Sequence, residues 1–410
     1  MSSGKESPAG DAMVESLARR AALLSPQADE PDSNDVISFG SGDASPAVLP
    51  DMTEAAAIAL SRYRSETLQY GPGMGLPELR EWICDYLRQD GVSASPEEVL
   101  VINGAKHALD LVCRLLLDEG DAVIVTAPTY FTGIPILRGH GASLVDVAQD
   151  AEGLDVEDLR EVLDRLRAEG RRPPKFIYNV PDFHNPTGIT MSRRRREAVL
   201  EIAAANGVFF VEDSPYRKIR FEGRDEPNLK SMDREGWVIS IGSFAKLLAP
   251  GLRVGWVAAP SELVGRMARL KSDGGSCPLT QRMILEFSAG GHLARHTEHA
   301  RATYRRHRDR MVAAIRECFP DLSVTVPQGG YYLWVPLPAG VSGDDLACAG
   351  AREGVFLHAG SEFYANPDRS YPANYWPPAS HVRLAYSFAS PDRIDEGIRR
   401  LARAYRSIAS

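Results

Sequence analysis

Short runs of β-branched and aromatic residues alternate along this chain with longer segments of helical periodicity. The strand-like runs are 99–102, 122–126, 176–180, 208–211 and 238–241. The helical patterns between and after them include 105–117, 193–206 and 261–271. Strands that alternate with helices form βαβ units around a mostly parallel sheet. The alternation therefore predicts an α/β fold with a large, doubly wound, mostly parallel sheet.

The pattern changes near residue 300. A long charged helix pattern spans 292–318, and strand-like segments at 322–326, 331–336 and 382–388 precede a closing helix at 391–408. A chain of 410 residues also exceeds what one core usually holds. We therefore expect a smaller α+β domain built from both chain ends. The predicted divisions are 1–50, joining the small domain; 51–300, the large domain; and 301–410, the small C-terminal domain.

Composition excludes several classes of protein. The 47 Lys and Arg against 55 Asp and Glu give a net charge of −8, which argues against a nucleic-acid partner. No apolar run approaches the roughly 20 residues of a membrane-spanning helix, and the opening residues lack a secretory signal. The five cysteines are scattered without a C-x-x-C pair, which predicts neither a disulfide framework nor a metal site. These features predict a cytoplasmic enzyme.

Polar loops follow four of the predicted strands. These loops are 127–133, 181–188, 212–216 and 242–246. Ligands of open α/β sheets bind outside the carboxyl ends of the strands, so four such loops predict one shared site.

Two motifs in these loops carry a family resemblance. They are Asn185-Pro-Thr-Gly188, and Ser243-Phe-Ala-Lys246 with Pro250-Gly-Leu-Arg-Val-Gly-Trp256. The chain resembles the pyridoxal-phosphate-dependent aminotransferases of fold type I, class I/II, near the 2-aminoadipate and kynurenine aminotransferases, over residues 37–391. The resemblance implies that residues 51–300 bind pyridoxal 5′-phosphate. It also implies amino-acid and 2-oxo-acid substrates, and a homodimer with shared active sites.

The resemblance assigns the catalytic residues. Lys246 matches the lysine that bonds covalently to the cofactor aldehyde and then carries a proton. Asp213 matches the carboxylate that keeps the pyridine nitrogen protonated. Tyr216 and Asn185 match the two residues that donate hydrogen bonds to the phenolic oxygen of the cofactor. Ser243-x-x-Lys246 also fits a serine acyl-enzyme signature, but the S-D-N and K-T-G partners of that signature do not occur.

Further matches concern cofactor and substrate binding. The residues that the resemblance places at the cofactor phosphate are Gly104, Ala105, Lys106, Ser243, Arg253 and, from the neighbouring subunit, Tyr70. Tyr130 matches the aromatic residue that stacks on the cofactor ring. Arg383 matches the arginine that pairs with the substrate α-carboxylate, with Asn185 and Ser41 beside it. The chain departs from the family at Ala105-Lys106, where a hydroxyl residue and Gln are usual, and at Ser41-Gly42, which replaces Gly-Gly.

Three functions stay open at this stage. The favoured one is transfer of an amino group between an α-amino acid and a 2-oxo acid. The second is a biosynthetic enzyme that uses the same cofactor for oxidation, elimination or replacement, or cyclisation. The third is a non-catalytic regulator, which we do not expect because fewer than 40 residues precede Ile37. The stretch 23–27 lacks the S-x-I-R of the family, which weakens the expectation of an acidic substrate.

An aromatic insertion lies between Tyr364 and Arg383. It carries Tyr371, Tyr375 and Trp376 among several prolines, which indicates a stiff loop. Two interpretations are open: a surface loop packed on its own side chains, or a lid wall that contacts the substrate.

Overall fold

The computed structural model describes residues 35–368, 370–373 and 375–409. The stretch 23–27 lies outside the described residues. Within these ranges no helix is long and apolar enough to cross a membrane, and no cluster of three or more His, Cys, Asp or Glu side chains could hold a metal ion.

The strands are numbered in chain order. They are β1 (Ile37–Ser38), β2 (Val99–Ile102), β3 (Ala122–Ala127), β4 (Ser143–Asp150), β5 (Gly153–Leu154), β6 (Phe176–Asn179), β7 (Phe209–Asp213), β8 (Val238–Ser243), β9 (Gly255–Ala258), β10 (Tyr332–Pro336), β11 (Val355–Phe356), β12 (His358–Ala359) and β13 (His381–Ala385).

The α-helices are numbered in the same way. They are α1 (Thr53–Arg62), α2 (Arg64–Thr67), α3 (Pro77–Arg88), α4 (Ala105–Leu116), α5 (Gly133–Gly139), α6 (Val156–Ala168), α7 (Arg193–Asn206), α8 (Leu229–Met232), α9 (Phe244–Leu247), α10 (Ser261–Leu270), α11 (Pro278–Ala289), α12 (His292–Cys318), α13 (Gly343–Arg352) and α14 (Pro391–Ile408). Short 3-10 turns occupy Pro46–Val48, Pro96–Glu98, Pro250–Leu252, Gly360–Phe363 and Pro378–Ser380.

The large sheet has eight strands in the order β2-β9-β8-β7-β6-β3-β4-β5. Strands β8, β7, β6, β3 and β4 run parallel, whereas β9 and β5 are antiparallel to their neighbours. Strands β3, β6 and β8 are buried along their whole length, as expected when helices cover both faces. The chain leaves β3 towards β4 and returns to β6 on the other side. The carboxyl ends of β3, β6, β7 and β8 therefore meet at one edge, and the predicted fold class is confirmed.

Two smaller sheets involve the chain ends. Strand β1 pairs in parallel with β11, and a three-stranded antiparallel sheet has the order β10-β13-β12. The backbone amide of Ala385 also donates to the carbonyl of Phe39. Helix α14 packs its buried side chains, among them Ile394, Ile398 and Leu401, into the same core as Ile37. The described part of the N-terminal segment thus lies against the C-terminal region.

Some predicted boundaries differ from the structure. Residues 322–326 form no strand, because no strand of the described residues pairs with them. Pairing in that region is limited to a bridge between Arg220 and Gly329. Helix α12 crosses residue 300 without interruption, so the predicted boundary falls inside a helix. The division into 1–50, 51–300 and 301–410 stays a prediction.

Candidate active site

A cavity of about 880 Å³ opens where the parallel strands end. It brings together most of the predicted site residues: Ser41, Ala105, Lys106, Tyr130, Asn185, Asp213, Tyr216, Ser243, Lys246, Arg253 and Arg383. They come from the loop after β1, from the ends of β7 and β8, from the segments that follow β3, β6, β7 and β8, from α4 and from β13. Residues separated by more than 300 positions in the sequence thus line one space.

Lys246 lies in α9, the single helical turn that follows β8. Ser243 caps this turn, because its hydroxyl accepts the backbone N–H of Ala245 at 3.1 Å. The Lys246 ammonium donates to the carbonyl of Gly42. Burial lowers the pKa of Lys246 to about 8, an effect that Asp43 opposes and Arg383 reinforces. The position therefore favours a neutral, nucleophilic amine far more than an exposed lysine would.

Asp213 ends strand β7 and is buried. Its Oδ2 accepts a hydrogen bond from the Tyr178 hydroxyl at 2.8 Å, while Oδ1 has no partner within the described residues. Burial raises the pKa of Asp213 to about 6, and the Tyr178 bond opposes this rise. A buried carboxylate oxygen without a partner is costly unless a ligand satisfies it. The arrangement fits a cationic ring nitrogen such as that of a pyridinium.

The start of α4 lies beside two cations at another end of the cavity. Gly104 precedes this helix with φ of +90°, and a Cβ there would lie 2.9 Å from Nη2 of Arg253. Arg253 itself has a left-handed φ of 52°, and its Nη2 donates to the carbonyl of Asn103 at 3.1 Å. Burial and the neighbouring Arg253 lower the pKa of Lys106. Two cations beside a helix N-terminus fit a phosphate group.

Arg383 is 2% exposed and projects from β13 into the cavity. Its Nη1 donates to Oδ1 of Asn185 at 3.0 Å, and its Nη2 donates to the carbonyl of Gly40. Its Nε has no partner within the described ranges. The guanidinium carbon lies 4.3 Å from the Tyr332 ring centroid and 5.3 Å from that of Phe131. This cation is fixed in orientation and retains a buried donor for an anionic ligand.

Aromatic hydroxyls form the next part of the wall. The hydroxyl of Tyr216 lies 3.1 Å from that of Tyr332, and burial raises the pKa of Tyr216 well above its ordinary value. Burial likewise raises the pKa of Tyr130, so both rings stay neutral hydrogen-bonding groups. Ser41 lies in the lining, where its hydroxyl donates to Oδ2 of Asp43 at 2.6 Å.

Comparison with known proteins shows the family of this chain. Residues 34–401 match the family model of aminotransferase class I and II. The chain belongs to this family. An aromatic-amino-acid aminotransferase of Thermococcus litoralis is 32% identical over 90% of this chain and 88% of that protein. A 2-aminoadipate transaminase of Thermus thermophilus is 33% identical over 91% of both. The solved kynurenine aminotransferase of Pyrococcus horikoshii has a TM-score of 0.89 at 31% identity, over 98% of this chain and 99% of that one.

Two predicted residues of this aminotransferase do not line the cavity. Gly104 stands behind it, where its missing side chain leaves room for Arg253. Tyr70 is 87% exposed and lies outside the lining. Its predicted contact with a phosphate therefore needs a second subunit and stays a prediction.

The aromatic insertion of the aminotransferase packs against β4 and α6. The hydroxyl of Tyr371 donates to Oδ2 of Asp146 at 2.9 Å, and that of Tyr375 donates to Oδ2 of Asp158 at 2.5 Å. None of the described residues in 365–380 lines the cavity. The lid-wall interpretation is therefore wrong for the described residues. The insertion supports the wall from behind, because its rings join the cluster that contains Phe363 and packs against Phe131.

Four further residues in or next to the cavity were not predicted from the sequence. Tyr178 bonds to Asp213, and Tyr332 contacts both Tyr216 and Arg383. His358 and Glu362 line the cavity and contact each other at 2.8 Å. A hydroxyl in an otherwise apolar strand, as at Tyr178, is the sequence signal that could have indicated the first of them.

Proposed function

We propose that this aminotransferase moves the amino group of an α-amino acid with an uncharged side chain to a 2-oxo acid, using Lys246, Asp213 and Arg383. One observation carries the proposal: a lysine of lowered pKa, an unpartnered buried carboxylate oxygen and an oriented arginine line the same cavity. One small ligand in this cavity could therefore exchange a proton with the lysine, pair a cationic group with the carboxylate and bind its own carboxylate to the arginine.

The cofactor is pyridoxal 5′-phosphate, which supplies an aldehyde that bonds to amines and a ring that accepts an electron pair. Its phosphate would be held by the N-terminus of α4 together with Lys106, Ser243 and Arg253. Asp213 would pair with its ring nitrogen, because Oδ1 has no other partner among the described residues. These residues lie in the same cavity and fit the group in charge.

The remaining side chains would act on the substrate. Arg383 would bind the α-carboxylate, which fixes the direction of the Cα–H bond. The amine of Lys246 has a pKa of about 8 and is therefore neutral above about pH 8. It would take the Cα proton of the substrate and return it to a carbon of the cofactor. Asn185 holds Nη1 of Arg383, and the ring of Tyr130 would pack on the cofactor.

The charges of the lining support an uncharged substrate side chain. Lys106 and Arg253 would face the phosphate, Lys246 the aldehyde and Arg383 the α-carboxylate. The described lining offers no further lysine or arginine for a second carboxylate. Asp43 and Glu362 are the lining carboxylates besides Asp213, and both would repel an acidic side chain.

We further propose that the protein is a cytoplasmic homodimer with shared active sites. Leu49, Leu68 and Tyr70 are more than half exposed, which is unusual for large apolar side chains and suits a partner surface. All five cysteines are unpaired, as expected in a reducing compartment.

Turnover of an amino-acid panel with and without 2-oxoglutarate tests the function. Amino-group transfer requires that the 2-oxo acid of the donor forms only while 2-oxoglutarate is consumed in equal amount. Product without consumption of 2-oxoglutarate would instead indicate oxidation, elimination or cyclisation. Lys246→Ala should abolish both turnover and the covalent adduct trapped by borohydride. Lys175→Ala, whose partner Asp121 lies outside the cavity lining, is the matched control.

A further inference from the structure

The wall of the cavity beside Arg383 is formed by strand β12. His358 in β12 is the direct cross-strand partner of Arg383 in β13. Directly opposed residues of an antiparallel pair project on the same face, with Cβ atoms about 5 Å apart. Both side chains line the cavity. His358 therefore lies within reach of a ligand whose carboxylate binds Arg383.

Glu362 fixes the imidazole of His358. Its Oε1 accepts the backbone N–H of Ala359 at 2.9 Å, and its Oε2 lies 2.8 Å from Nδ1 of His358. A carboxylate only accepts hydrogen bonds, so Nδ1 carries the proton. No group in residues 35–368, 370–373 or 375–409 bonds the other ring nitrogen, Nε2. In the neutral ring this nitrogen is an oriented acceptor.

Aromatic rings surround this histidine. The Phe131 ring centroid lies 4.6 Å from that of His358, and the Phe356 centroid lies 5.3 Å away. Phe131 also lies 5.3 Å from the guanidinium carbon of Arg383, so it spans the space between the two polar groups. A flat side chain can pack there between its carboxylate end and its far end.

We propose that the His358–Glu362 pair determines specificity by accepting a hydrogen bond from a donor, such as a phenolic hydroxyl, on an aromatic substrate side chain. The inference rests on the proposed function, which places the α-carboxylate on Arg383. Glu362 contributes in two ways, by orienting the imidazole and by repelling a side-chain carboxylate. His358 thus selects among aromatic side chains, and Glu362 selects against acidic ones.

Binding of unreactive analogues to the holoenzyme tests the pair directly. Phenylpropionate, 4-hydroxyphenylpropionate and glutarate have a carboxylate but no amine, so calorimetry measures their affinity without turnover. The native enzyme should bind the hydroxylated ring about 10- to 100-fold more tightly than phenylpropionate. His358→Phe should abolish this ratio and leave phenylpropionate binding within about twofold. Glu362→Gln should strengthen glutarate binding. His381→Phe, at a histidine outside the lining, is the matched control.

The specificity assignment and the proposed amino-group transfer can be contradicted by different results. If His358→Phe keeps the preference for the hydroxylated ring, the specificity assignment is overturned, while amino-group transfer stands on the panel experiment. If the native enzyme binds both rings equally, the assignment is likewise overturned. If no amino acid in the panel transfers its amino group, the proposed function falls irrespective of the calorimetry.

Discussion

The two oxygens of Asp213 have different surroundings. Oδ2 is held by the Tyr178 hydroxyl, and Oδ1 has no partner among the described residues. One oxygen thus orients the carboxylate while the other remains available to a cation. Burial raises the pKa of this group to about 6, and a cationic partner would lower that pKa and favour the charged carboxylate.

Replacing Asp213 with Asn removes the negative charge of the side chain and keeps its shape. Asp213→Asn should retain cofactor binding and slow proton abstraction about a thousandfold, which corresponds to about 4 kcal/mol in the barrier. A neutral amide cannot stabilise a protonated ring nitrogen. Single-turnover absorbance changes with a saturating amino acid provide the measurement.

Tyr178→Phe is a milder variant of the same site. It removes one hydrogen bond and leaves the Asp213 charge, so a loss of about tenfold is expected. Single-turnover rates of Asp213→Asn close to those of the native protein would contradict the role of the carboxylate.

The pKa of Lys246 predicts a pH dependence. Only the neutral amine attacks an aldehyde, so covalent addition of the cofactor to the apoprotein should accelerate with rising pH and level off above about pH 8. An unperturbed lysine would continue to accelerate towards its ordinary pKa of about 10.4. Stopped-flow absorbance across pH 6–10 measures the profile. A rate that still rises tenfold between pH 9 and 10 would refute the lowered pKa.

At the scale of elements, the insertion around Tyr371 and Tyr375 acts on the site indirectly. Its hydroxyls bond to Asp146 in β4 and Asp158 in α6, and its rings pack near Phe363. A segment held by buried hydrogen bonds contributes mainly to stability. The structural interpretation of this loop follows from these bonds.

The double variant Tyr371→Phe/Tyr375→Phe should lower the free energy of unfolding by about 2–4 kcal/mol, since it removes several buried hydrogen bonds. Urea unfolding measures the loss. The order of preference among amino-acid substrates should not change. Tyr405→Phe, in a ring that packs on Phe319 in another part of the fold, is the control. A changed substrate order at unchanged stability would support contact with the substrate instead.

Much of the site could be predicted because its residues follow strands. Lys246, Asp213 and Asn185 lie in local motifs, and the parallel sheet then brings the strand ends together. His358 could not be found in this way. Its place beside Arg383 depends on the register of β12 against β13, which no local pattern specifies. The error at 322–326 has a related cause, since a strand-like run forms a strand only where a partner strand is available.

At the scale of the whole molecule, we propose that a second subunit covers the exposed side chains of Leu68 and Tyr70. Sedimentation should give about twice the chain mass of 44.8 kDa. Tyr70→Phe and Lys246→Ala parents should each have low activity. Mixed after subunit exchange, they should recover activity, because one site of each heterodimer combines a native Tyr70 with a native Lys246. Absence of recovery, with exchange demonstrated by mass, would exclude shared sites.

The pairing of β1 with β11 has a consequence for how this enzyme is made. Ile37 and its partner Val355 are separated by most of the chain. A ribosome that adds about 5–20 residues per second needs roughly 15–60 s to pass from one to the other. During that interval the strands of the large sheet can already assemble, whereas the wall formed by Gly40 and Arg383 cannot. The nascent chain therefore carries Lys246 well before Arg383, which we propose binds the substrate carboxylate, has been made.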